Sequence, residues 1–122
     1  MNLQLESNNS KYQIQQLDTH SVTINGQTYT KNLIIMPEYL SNWEVKNFEM
    51  LDVTHFQQLC TLQPELVLLG TGQKIRFPDP KLLAPLINAC IGVEVMDTAA
   101  ASRTYTILTA EGRQVAAALL FD

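Results

Sequence analysis

The sequence contains no arginine before Arg76, only two cysteines and two histidines, and no wholly apolar run longer than Val115–Phe121. Each scarcity closes off a class of protein. A mitochondrial transit peptide is rich in arginine, and a secretory signal needs a basic region followed by an apolar one; the opening MNLQLESNNSKYQ has neither. The longest apolar run is far too short to cross a bilayer, so no direct membrane insertion is expected. Cys60 and Cys90 each fall in an apolar helical pattern and read as two buried thiols in a reducing compartment rather than as a disulfide. His20 and His55 stand alone, and no Cys/His spacing marks a ligand set, so neither a metal nor a cofactor is expected. The expected location is the cytoplasm.

What is present fits one globular domain. With 122 residues, 46% of them hydrophobic and 16% charged, the chain can bury roughly two thirds of its unfolded surface. A net charge of −4 argues against a nucleic-acid partner, which needs a basic footprint. The charge is uneven. Residues 1–70 carry Lys11, Lys31 and Lys46 against seven acids, whereas residues 71–113 carry Lys74, Arg76, Lys81, Arg103 and Arg113 against four. That half holds either ordinary surface charge or a local face that attracts anions or docks a partner.

Periodicity predicts the elements. Residues 1–11 are polar and read as a frayed segment, and residues 12–122 as a single α/β domain. Tyr12–Leu17 reads as a short strand. Asn25-Gly26 is a strong hairpin signal, because a type I′ turn needs positive φ at both centres; it sets Val22 opposite Tyr29 and Ile24 opposite Gln27. Leu33–Met36 reads as a buried strand stopped by Pro37, and Leu40–Val45, with Trp43, as another. Phe56, Leu59 and Cys60 mark a helix capped by Thr54 and ended by Pro64. Leu66–Gly70 is apolar throughout, as a strand covered on both faces must be. Asp79-Pro80 starts a second helix whose buried stripe is Leu82, Leu83, Leu86 and Ile87, with Gly92 as its left-handed end and Phe77 as a plug in the core. Val93–Met96 is the next strand, Asp97 caps a third helix, Glu111-Gly112 turns the chain, and VAAALLF closes the core. This order predicts a three-layer α/β domain, with a mixed, mainly parallel central sheet, helices and an N-terminal β-hairpin layer.

Leu66–Gly70 and Val93–Met96 read as the central strands, and ligands collect at the carboxyl ends of such strands. Gly70, Thr71, Gly72, Lys74, Arg76, Asp97, Thr98 and Arg103 are therefore the candidate ligand or docking residues. Gly70 and Gly72 let backbone N–H groups turn toward an anion, and Lys74 and Arg76 add charge. The dinucleotide fingerprint fails because Ile75 stands where its third glycine belongs, and no Gly-Lys-Ser/Thr ending makes a phosphate loop. A structural turn explains the two glycines equally well. An ion pair between Asp97 and Arg103 is the structural alternative for those two charges. Ser102 has no histidine near it in sequence, so no catalytic residue is assigned.

The stretches INGQTYTKNLIIMP, PELVLLGTGQKIRFPDP, IGVEVMDTAAASRTYTIL and EGRQVAAALL occur in this order, spread over the chain between residues 12 and 121. They resemble a family of uncharacterised bacterial and archaeal proteins that also contains the mitochondrial respiratory complex I assembly factor 3. The resemblance implies a three-layer α/β fold with a mixed central sheet and an accessory β layer. It also implies a non-enzymatic protein-binding module that assembles a respiratory or other membrane complex, with a respiratory-complex subunit or assembly factor as partner. Ser102 and Thr106 depart from the cysteine and asparagine of the resembling stretch. A homodimer through an exposed strand edge or an apolar patch stays open, and so does the alternative of a small anionic ligand, or an enzyme of unknown reaction, at Gly70–Arg76 and Asp97–Arg103.

Overall fold

Three central strands carry apolar side chains on both faces, and this decides the layering. The computed structural model describes residues 10–122, so the expected frayed segment lies, up to residue 9, outside the described residues. The five-stranded sheet consists of β4 (Leu33–Met36), β5 (Tyr39–Asn42), β6 (Leu66–Thr71), β7 (Gly92–Met96) and β8 (Val115–Leu120). Its order is β5-β4-β8-β6-β7. The pairs β8–β6 and β6–β7 are parallel, while β4 runs antiparallel to both β5 and β8. Every residue of β4, β6 and β8 is buried.

Alternation sends the two sets of side chains to different cores. Leu33, Ile35, Leu66, Leu68, Val115, Ala117 and Leu119 face one; Ile34, Met36, Val67, Leu69, Ala116, Ala118 and Leu120 face the other. The first core is closed by α3 (Thr98–Ala110), through Ala101 and Tyr105, and by a separate sheet β1-β2-β3, through Val22 and Ile24. That sheet comprises β1 (Ile14–Asp18), β2 (Ser21–Ile24) and β3 (Gln27–Tyr29). The second core is closed by α1 (Val53–Thr61), through Phe56 and Leu59, and by α2 (Ala84–Asn88), through Leu86. The alanines at 116–118 of β8 keep the middle strand thin between the layers.

The hairpin forms as its turn chemistry demands: Asn25 and Gly26 have φ of 51° and 83°, with Val22 opposite Tyr29 and Ile24 opposite Gln27. Asp79 caps a 3-10 turn, Pro80–Leu83, with Pro80 in its first positions, and α2 continues from it. Asp97 caps α3 by accepting from the Ala100 N–H.

Several expectations are corrected. The cap of α1 is Asp52, not Thr54; Asp52 accepts from the Thr54 N–H while His55 reaches back to the Asp52 N–H, a reciprocal box. The strand expected at Leu40–Val45 runs instead from Tyr39 to Asn42, and Trp43 turns into the core beyond it. Cys90, not Gly92, takes the left-handed conformation after α2 (φ 60°), because Gly92 is already paired in β7. Cys90 is consequently exposed and Cys60 half-buried, and both thiols are free. Ile87 is 59% exposed, since α2 is too short to bury more than one stripe. Phe77 is 72% exposed on a connector held by Pro78 and Arg76 rather than by its own ring. Finally, β7 is an edge strand; the centre belongs to β8 and β6.

Candidate functional site

The carboxyl ends of β6 and β7 lie side by side, as parallel pairing from Leu66–Gly92 to Gly70–Met96 requires. The start of α3 is welded to them by one hydroxyl. The Gly72 N–H donates to Thr98 Oγ1 at 2.8 Å, and the Thr98 hydroxyl donates to the Leu120 carbonyl at 2.6 Å. The Thr98 N–H donates to the Gly72 carbonyl at 2.9 Å. Three chain segments therefore meet at Thr98, which is 5% exposed. Gly70 lies beneath it, where a Cβ would come within 3.0 Å of the Thr98 backbone and of Leu119. Gly72 has φ of 101°, and a side chain there would run into the Asp122 carbonyl.

The other predicted residues are placed differently. The fully buried Thr71 hydroxyl donates to the Lys74 carbonyl at 2.8 Å and accepts from the Arg76 N–H at 3.0 Å, which closes the glycine loop on itself. The Arg76 guanidinium donates to the Thr71 carbonyl from Nε at 3.1 Å and from a terminal nitrogen at 2.6 Å, and meets Asp122 at 3.2 Å. It also lies 4.7 Å from the centre of the Phe48 ring and 3.5 Å from Glu49. Arg76 is thus folded against the end of β8. Lys74 is exposed, away from the bonds that its carbonyl makes. Asp97 is used by its cap, and no ion pair joins it to Arg103 among the described residues.

Two connected cavities border this junction. The first, about 430 Å³, lies between the turn after β1 and Gly72, Gln73, Asp97 and Thr98. The second, about 470 Å³, lies between Ile14–Leu17 of β1 and the α3 face formed by Ala99, Ser102, Arg103, Thr106 and Ile107. Leu17 and Ala99 line both, so they form one groove along the β1 edge. Gly72, Asp97, Thr98 and Arg103 border it. Arg76 and Lys74 do not. Ser102 lies in its wall, 3% exposed, with a hydroxyl that has no partner. Behind α3 the Tyr105 hydroxyl donates to the Tyr12 carbonyl at 3.0 Å, and burial pushes the phenol well above its ordinary pKa.

Sequence reading missed the β1 wall and Ile107. The signal for the helix wall was present: Ala99, Ser102, Arg103, Thr106 and Ile107 recur at helical spacing. The opposing strand had no signal, because nothing in local sequence brings β1 beside α3. A third cavity, about 540 Å³, lies near Trp43, Lys31, Lys46 and Asp122.

Among the described residues no group of three or more His, Cys, Asp or Glu is placed to hold a metal ion, and no helix is long and apolar enough to cross a membrane. The fold is that of a small three-layer α/β domain, of the type described in a Bordetella pertussis protein as Mth938-like. That structure is 29% identical, with a TM-score of 0.81, and the match covers 91% of this chain and 86% of that one. The chain belongs to the family described as protein of unknown function DUF498/DUF598, whose model matches residues 14–120. A Bordetella parapertussis crystal structure is also similar, at 34% identity and a TM-score of 0.85, covering 91% of this chain and 96% of that one. Among curated proteins, the NADH dehydrogenase [ubiquinone] 1 alpha subcomplex assembly factor 3 of Bos taurus is 30% identical over 97% of this chain and 65% of its own length. The chain spans about 60% of the length of the curated relatives of that name that it matches first.

Proposed function

We propose that this chain is a non-enzymatic protein-binding module that helps to assemble a respiratory or other membrane complex. The observation that carries this reading is the 30% identity to a complex I assembly factor along nearly the whole chain. The residues that the family model matches include both cores except Phe121, and the Thr98 junction, so the likeness supports a shared domain and not merely a shared motif. In this reading residues 12–122 act as one α/β domain in the cytoplasm, and the partner is a subunit or another assembly factor of the complex. The docking face comprises Gly72, Asp97, Thr98 and Arg103, with Gly70, Thr71, Lys74 and Arg76 supporting it. The test is deletion in the native source, followed by native gel analysis of the assembled NADH dehydrogenase in membranes. The expected result is a loss of assembled complex, restored by the intact chain. Assembly at the undeleted level would overturn the reading.

A second reading has its own observation. The Arg103 side chain is exposed and makes no hydrogen bond or ion pair among the described residues, beside a cavity of about 470 Å³. A small anionic ligand fits that charge. Thermal-shift titration with a panel of anionic metabolites should then raise the melting temperature of the intact chain but not of Arg103→Ala; no shift with any of them would remove this alternative.

A further inference from the structure

Among the described residues β1 is the outer strand of its sheet and pairs only with β2. Like any edge strand it turns half of its peptide N–H and C=O groups outward, here into the groove. Edges are ordinarily blocked by charge, proline or a bulge; β1 has a register shift between Ile14 and Gln16 and one charge, Asp18, at its end, while Ile14-Gln15-Gln16-Leu17 carries neither charge nor proline. The facing wall of α3 is made from Ala99, Ser102 and Thr106, short side chains that leave room beside the strand. The two connected cavities, about 430 and 470 Å³, follow β1 over its five residues. That length is about 16 Å of extended chain.

The groove is chemically polarised. Arg103 stands on its wall without a partner, and at the other end Asp18 is exposed and free of any ion pair among the described residues. Ile107 is 59% exposed at the rim. The buried Ser102 hydroxyl, which has no partner, adds an unused polar point.

We propose that this groove takes an extended segment of about five residues from a partner protein, added as an outer strand to β1. The segment carries an acidic residue against Arg103, a basic one at the Asp18 end, and apolar side chains over Ile14, Leu17 and Ile107. The proposal rests on the protein-binding reading above and specifies what is bound. In a second copy the matching strand lies beside its own α3, whereas a loose segment brings no such wall.

The test begins with a displayed random heptapeptide library selected on the full chain. Enriched peptides should pair an acid with apolar residues, and a synthetic copy should shift the amide resonances of residues 14–18 and the Arg103 side-chain signal. Arg103→Glu should weaken binding at least tenfold, and methylating alternate peptide backbone nitrogens should do the same. Lys81→Glu, on the far layer, should leave it unchanged. Absence of enrichment, resonance shifts elsewhere, or indifference to backbone methylation would overturn the proposal. So would a concentration-dependent dimer formed through residues 14–18, which would make a second copy the occupant. If the groove fails but deletion still abolishes complex assembly, the assembly reading stands and only the docking mode is refuted.

Discussion

At the scale of single residues, Thr98 does what no neighbour can replace. Its hydroxyl both accepts from Gly72 and donates to Leu120 in a buried setting, so it ties the ends of β6 and β8 to the start of α3. Thr98→Val keeps the shape but strands one N–H and one carbonyl without partners. The expected loss is about 2–4 kcal/mol in denaturant unfolding, because each orphaned buried group costs its desolvation. A loss below about 0.5 kcal/mol would mean that water replaces the hydroxyl. Arg76 illustrates the same economy of parts. Its charge drew attention in sequence as a ligand for anions, yet the Thr71 carbonyl, Asp122, Glu49 and the Phe48 ring surround it. Arg103 has the same charge and none of those partners.

At the scale of elements, two carboxylates hold segment ends. The Asp52 carboxyl lies below its ordinary value of 3.8, first through the hydrogen bond from the Thr54 hydroxyl, and it caps α1. Glu65 lies below 4.5, first through the Gln114 N–H and then through Arg113, and it pins the start of β6 to the approach of β8. Both folded values are depressed, so both contributions are present above the unfolded pKa values and are lost as pH falls through the folded ones. Carboxyl titration by NMR should therefore give midpoints below 3.8 for Asp52 and below 4.5 for Glu65, with stability declining under about pH 4. Thr54→Ala should move the Asp52 midpoint back toward 3.8, and an unmoved midpoint would show that its hydroxyl is not the cause. Element boundaries were less legible than element types. The cap passed from Thr54 to Asp52 because the reciprocal bond from His55 closes only at that register. The left-handed turn passed from Gly92 to Cys90 because pairing with Leu66 claims Gly92 for the strand.

At the scale of the molecule, one sheet supplies both cores through alternate side chains of the same strands. Loss of either core bares one face of β4, β6 and β8, so the two cores are coupled through those strands. Trp43, the only tryptophan, is 2% exposed in the second core, with the rings of His55 and Phe56 set edge-on at 6.1 and 6.4 Å. Tyr105 reports on the first core from the opposite layer. Unfolding followed by Trp43 fluorescence and by a probe of Tyr105 should give coincident, single transitions. Two separated midpoints would show that the layers are independent units.

Local chemistry was enough to determine much of this protein. The Asn25-Gly26 hairpin and its register, the buried strands of LIIM, LVLLG and VAAALLF, and the Asp-capped starts at Asp79 and Asp97 all depend on residues close together in sequence. Period, turn stereochemistry and capping are short-range forces, so the α/β class was legible. The candidate site was legible only as two separate segments. Packing alone decided that Thr98 would join β6 to β8, that Arg76 would be consumed by the end of β8, and that β1 would lie beside α3 to leave a groove next to Arg103. Those contacts join residues from 22 to 93 positions apart, as in Thr98–Leu120 and Tyr105–Tyr12. Their geometry follows from how three layers share one sheet, which no local pattern encodes.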